Sequence, residues 1–66
     1  MTINVNHHPK HIKNNATVQE LIEELSIKAT GIAIAINNQV VQKDIWHLQP
    51  LQENDQVTII QATQGG

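Results

Sequence analysis

The stretch TVQELIEELSIKATGIAIAINNQVV, residues 17–41, decides the fold, because it changes period halfway along. In its first half Val18, Leu21, Ile22 and Leu25 recur at i, i+3, i+4 and i+7, which gathers them into one apolar stripe of a helix. Thr17 and Glu20 form a T-x-x-E capping box, in which each side chain bonds the other residue's backbone N–H and fixes the helix start. Gln19, Glu20, Glu23 and Glu24 lie off the stripe as a solvated face, and the acids occupy the early turns that the helix dipole favours. Gly31 marks the loop that follows. In the second half Ile32, Ile34 and Ile36 alternate with Ala33 and Ala35, giving a central strand with one bulky face and one slim face. Asn37-Asn38 tolerates positive φ and suits a tight hairpin turn, and Val40-Val41 begin the return strand.

Working outward, Ile3 and Val5 alternate with Thr2, Asn4 and Asn6 as a half-buried strand. His7-His8-Pro9-Lys10 interrupts it. With Pro9 in the turn, a second strand over Lys10 to Lys13 closes a hairpin, and Asn14-Asn15 lead out of it. Beyond the middle hairpin, Asp44 is expected to cap a short helical turn carrying Ile45, Trp46 and Leu48, which Pro50 ends. Leu51 is a further apolar anchor, Asn54-Asp55 a turn, and Gln56 to Gln61 a last strand around Val57 and Ile59. The economical arrangement packs one amphipathic helix across a mixed sheet of four to five strands. This is an α+β fold of the β-grasp, or ubiquitin-like, kind, with the last strand central. The expected division is a β-grasp domain over residues 1–61 and a flexible C-terminal tail over residues 62–66.

Composition narrows the function. A chain of 66 residues is one small domain, which buries only about 60% of the surface its unfolded form exposes. Such a chain more often binds, or is acted upon, than catalyses alone. The net charge is −2, with four lysines and no arginine, a poor footprint for nucleic acid. No run is long and apolar enough to span a bilayer, and no basic amphipathic stretch points to a membrane surface. Met1-Thr2-Ile3-Asn4 lacks the features of a signal peptide, so the expected compartment is the cytoplasm. Cysteine is absent, which removes disulfides, Cys-based metal sites and a thiol nucleophile. No paired carboxylates, Ser/His/Asp set or phosphate-cradling glycine loop is present, so an enzyme acting alone is disfavoured. His7, His8 and His11 have some metal-ligand character, but without a fourth ligand they read as a solvated surface loop. His47 is isolated. Trp46 is the only aromatic residue and reads as core packing, since the rest of the core is Ile, Val, Leu and Ala.

The sequence ends on Gly65-Gly66, a pairing expected by chance in about one chain in 200. Glycine has no Cβ, so such a tail fits a slot too narrow for other residues. The Gly66 carboxylate is then an unhindered acyl group for a partner enzyme to activate.

Taken together, Ile3-Asn4-Val5-Asn6, Thr17-Val18-x-Glu20-Leu21-Ile22, Ala33-Ile34-Ala35-Ile36-Asn37, Val40-Val41, Trp46, Leu51-x-x-Asn54-Asp55-x-Val57 and Gly65-Gly66 resemble the ThiS family over essentially the whole chain. These are the sulfur carriers of thiamin thiazole synthesis. The chain departs from the family pattern at Asn54, where relatives usually place Gly, and at Asn37-Asn38, where Asn-Gly is common. Asn tolerates positive φ, so both turns can survive.

The resemblance implies a mechanism. A ThiF-like adenylyltransferase using ATP and magnesium would activate the Gly66 carboxylate, and a persulfide derived from a cysteine desulfurase would replace AMP. The resulting thiocarboxylate at Gly66 would give its sulfur to a ThiG-like thiazole synthase. In this scheme the chain itself binds no cofactor or metal and is a cosubstrate, not an enzyme. Thr63, Gln64, Gly65 and Gly66 would enter the partners' active sites. Ala33, Ala35, Thr58 and Ile60 are expected to line the sheet face opposite the helix, an apolar patch of the kind that marks a protein interface. Three other readings stay open at this level: a MoaD-like small subunit of molybdopterin synthase, a ubiquitin-like protein modifier, and a plain binding module with an incidental tail.

Overall fold

A computed structural model describes residues 1–61. The elements run β1 (Thr2–Val5), β2 (His8–His11), α1 (Val18–Glu24), β3 (Ile32–Ile36), β4 (Gln39–Val41), a 3₁₀ helix (Lys43–Leu48) and β5 (Gln56–Gln61). They build one mixed sheet in the order β2-β1-β5-β3-β4, so the last strand is the central one. β5 runs parallel to β1 and antiparallel to β3. This is the expected β-grasp arrangement. The tail over residues 62–66 lies outside the described residues.

The capping box forms as its sequence demands. Thr17 Oγ1 accepts the Glu20 N–H at 3.2 Å, and Glu20 Oε1 accepts the Thr17 N–H at 2.9 Å. Val18, Leu21 and Ile22 are buried, and Leu25 caps the helix end, half-buried against the same core. The opposite layer of that core comes from one face of the sheet: Ile3, Ile34, Val41 and Val57. Trp46 fills the space between, 1% exposed, and its indole Nε1 donates to the Val41 carbonyl at 3.0 Å. A buried indole thus keeps its polar atom satisfied, and its role is packing.

The first hairpin differs from expectation. Its turn is Asn6-His7, at φ 50° and 70°, and β2 is His8–His11 rather than Lys10 to Lys13. Both central residues at positive φ make the tight turn whose twist matches the flanking strands. Pro9 therefore sits inside a strand. It can do so because hydrogen-bonded and non-hydrogen-bonded pairs alternate along an antiparallel ladder. Met1 and Ile12 exchange both bonds, at 2.8 and 2.9 Å, which puts Ile3–Lys10 and Val5–His8 in bonded positions and Asn4–Pro9 between them. The missing N–H of Pro9 faces outward from an edge strand, where no partner is lost.

A second difference concerns Asp44. The 3₁₀ helix begins one residue earlier, at Lys43, with Gln42 in the cap position and no side-chain cap bond, so Asp44 lies inside the first turn. The helix is held instead by burial of Trp46. The positive-φ turns behave as read: Asn37 and Asn38 stand at 50° and 70°, and Asn54 at 70°.

Candidate functional site

The candidate site has two parts, the face of the sheet and the root of the tail, and β5 carries both. On the sheet, Ala33 stands opposite Ile60 and Ala35 opposite Thr58. Cross-strand partners share a face, as do residues two apart, so these four side chains form one patch. The residues of opposite parity, Ile34, Val57 and Ile59, face the core and the helix. The patch therefore lies on the side of the sheet away from α1. Ala33, Thr58 and Ile60 are exposed and Ala35 half-buried; Ile60 is 57% exposed.

One residue of this face escapes the sequence reading. Val40 pairs with Ala35 across the β3–β4 turn and is 69% exposed. The signal was present: a two-residue turn at Asn37-Asn38 pairs Ile36 with Gln39, and therefore Ala35 with Val40. Sheet order then places Ile60 on β5 and Val40 on β4, with the two alanines of β3 between them. The face is a shallow trough, with small side chains on its floor and a larger aliphatic one on each side.

Thr63, Gln64, Gly65 and Gly66, the expected reacting end, lie outside the described residues. Their attachment point does not. Gln61 ends β5 and pairs with Ile32. It borders two clefts, one shared with Ser26, Lys28 and Gly31, the other with Val5, Leu25 and Ile27. A third hollow, lined by Ile36, Val40, Ile45 and Pro50, reaches the opposite end of β5 at Asp55.

The charged residues make no reactive cluster. Glu20 pairs with Lys13 at 2.6 Å and Glu24 with Lys10 at 2.6 Å, so two acids of the helix face are tied to lysines of the first hairpin and the segment after it. The Lys13 ammonium, and then the Thr17 N–H, hold the Glu20 carboxyl below its ordinary value. The three histidines of the first hairpin are not brought to one point. His7 is in the turn, while His8 and His11 are three apart on a strand and so project from opposite faces. His11 Nδ1 lies 3.2 Å from Thr2 Oγ1. Among the described residues no three His, Cys, Asp or Glu side chains gather as a metal site. None of the described helices is long and apolar enough to cross a membrane.

Known proteins resemble this chain in sequence and in fold. The family model described as the ThiS family matches residues 3–66. The sulfur carrier protein ThiS of Escherichia coli K12 is 40% identical over 50 residues, covering 76% of each chain. Among solved structures, the crystal structure of the thiamine biosynthesis protein ThiS from Geobacter metallireducens superposes with a TM-score of 0.87 at 22% identity over the full length of both chains. The solution structure of a thiamine biosynthesis protein from the same organism gives 0.80 at 20% identity, covering all of this chain and 88% of the other. The two structural matches establish the shared fold.

Proposed function

The chain belongs to the ThiS family, and from that premise we propose that it carries sulfur as a thiocarboxylate on Gly66, its trough on the sheet docking the enzyme that activates it. Its role in thiamin biosynthesis is that of a sulfur carrier rather than a catalyst.

Chemistry dictates the steps. A free carboxylate resists a sulfur nucleophile because its leaving group would be oxide. A Gly66 oxygen therefore attacks the α-phosphorus of ATP, held with magnesium in a ThiF-like adenylyltransferase, and pyrophosphate leaves. A persulfide supplied through a cysteine desulfurase then attacks the acyl carbon and AMP departs. Reduction of the acyl disulfide by a thiol frees the thiocarboxylate. A ThiG-like thiazole synthase takes that sulfur, and hydrolysis or acyl transfer returns the carboxylate. ATP and magnesium belong to the partner, and the reading places the chain in the cytoplasm beside these enzymes.

The residues divide the work. Thr63, Gln64, Gly65 and Gly66 thread the partner active sites, where the absence of a Cβ on the last two residues matters. Ala33, Ala35, Thr58 and Ile60, joined by Val40, supply the apolar contact. The observation that carries the reading is that the family match runs through Gly65 to Gly66.

The test is intact mass after incubation with a ThiF-like adenylyltransferase, ATP, magnesium and a persulfide source. Exchange of one oxygen for one sulfur at Gly66, with transfer to a thiazole synthase, is the expected result. Transfer only to a molybdopterin synthase subunit would move the chain to the MoaD-like reading. No mass change, and no pyrophosphate exchange, would leave a binding module.

A further inference from the structure

β1 and β5 do not end together. Their parallel pairing stops at Val5 opposite Val57, because β1 turns away through Asn6-His7, while β5 continues to Gln61. The bonding pattern shows what this leaves open. Asn4 N–H donates to the Asp55 carbonyl and Asn6 N–H to the Val57 carbonyl, each at 2.9 Å, so odd-numbered residues of β5 turn their polar groups toward β1. Ile59 is the next of these, and on that side no strand remains beside it.

The Asn6 side chain takes the strand's place. Its Oδ1 accepts the Ile59 N–H at 2.8 Å, and its Nδ2 donates to the Ile59 carbonyl at 3.3 Å. A carboxamide carries its oxygen and its NH2 side by side, so Asn can accept from the N–H and donate to the C=O of one residue and extend a ladder by that residue. The Ile59 clamp sits two residues before the end of β5. We infer that Asn6 is a positioning residue for the activation of Gly66: its carboxamide completes the β1 side of the sheet at Ile59 and holds the end of β5 from which the reacting end is presented. The inference rests on the carrier reading above. Its consequence is geometric. A partner seated on the sheet face at Ile60 meets a strand end whose last residues are held from both sides, by β3 and by Asn6.

The fold contains a matched control. Asn37 is likewise the first residue of a two-residue hairpin turn, also at φ 50°, and its Oδ1 accepts the Gln56 N–H at 3.0 Å. It clamps the other end of β5, remote from Gln61. Asn6→Gly and Asn37→Gly each remove a carboxamide at a backbone position where glycine is at ease.

The measurement is the steady-state rate of ATP–pyrophosphate exchange by a ThiF-like adenylyltransferase as a function of chain concentration, together with amide exchange at Ile59. A misdirected reacting end lowers turnover more than binding, so Asn6→Gly is expected to lower kcat about tenfold while KM stays within about twofold. Asn37→Gly is expected to leave kcat unchanged, and only Asn6→Gly should accelerate exchange at Ile59. Asn6→Asp keeps the acceptor for Ile59 N–H but sets a carboxylate against the carbonyl, and should fall between. Equal kcat for the two glycine variants, whether both normal or both reduced, would overturn the inference. Absence of exchange in the unsubstituted chain would instead sink the carrier reading, and this inference with it.

Discussion

Asn38 occupies the second position of the β3–β4 turn at φ 70°, a region that strains a side chain branched at Cβ. Asn38→Val is expected to destabilise the fold by about 1–2 kcal/mol, whereas Asn38→Gly should cost nothing. Urea midpoints at constant m-value decide between them. Glu20 makes a different kind of residue-scale statement. Its carboxyl is held below its ordinary value by Lys13 and the Thr17 N–H, so the folded state binds its proton less readily than the unfolded chain does. Such a group stabilises the fold above its unfolded value, about 4.3 for Glu, and the contribution disappears as pH falls through the lower folded value. Glu20→Gln can still accept the Thr17 N–H but cannot titrate. Between about pH 5 and pH 3 the parent should therefore lose more stability than the variant, the difference closing at the acid end. Parallel denaturation series across that range would show it; identical slopes would mean that the Lys13 pair contributes nothing.

At the scale of elements, the two faces of the sheet carry different obligations. One face is committed to the core, and the other presents Ile60 and Val40 at 57% and 69% exposure over an alanine floor. Substituting exposed positions leaves packing intact, so Ile60→Asp and Val40→Asp should each keep the far-UV spectrum and the melting temperature. Each should weaken adenylyltransferase binding by about tenfold, equivalent to 1.4 kcal/mol. Calorimetric titration checks this, and unchanged affinity in both variants would remove the trough as the docking surface. The helix, the middle hairpin and β5 could be read from local signals alone: a capping box, a change of period, a pair of asparagines. The first hairpin could not. Pro9 reads locally as a turn residue, and only the alternation of bonded pairs along an edge strand shows why it is harmless there. Asp44 misleads in the same way, since the 3₁₀ helix is placed by the burial of Trp46 rather than by its cap.

Across the whole molecule, the parts of the candidate site differ in how far sequence reaches them. Gly65-Gly66 announces itself by composition, and the face of Ala33, Ala35, Thr58 and Ile60 follows from strand period once the sheet is assumed. The role of Asn6 does not follow, because it depends on β1 ending before β5 in a pairing between residues more than fifty positions apart. That pairing also makes β5 the joint of the fold. Val57, 2% exposed, faces Val5 on one side and Ile36 on the other, and so connects the β1–β2 and β3–β4 halves of the sheet. Val57→Ala removes two buried carbons and should cost about 2–3 kcal/mol, a large share of the roughly 3–10 kcal/mol available to a domain of this size. If β5 joins the halves into one cooperative unit, the loss must be felt everywhere at once. Trp46, the sole aromatic residue, reports the half containing β4 and α1, while far-UV circular dichroism reports both. The urea transitions by fluorescence and by circular dichroism should therefore coincide in the parent and move together in Val57→Ala. Transitions that separate in the variant would show that the two halves hold their structure independently and that β5 is a neighbour to each rather than the link between them.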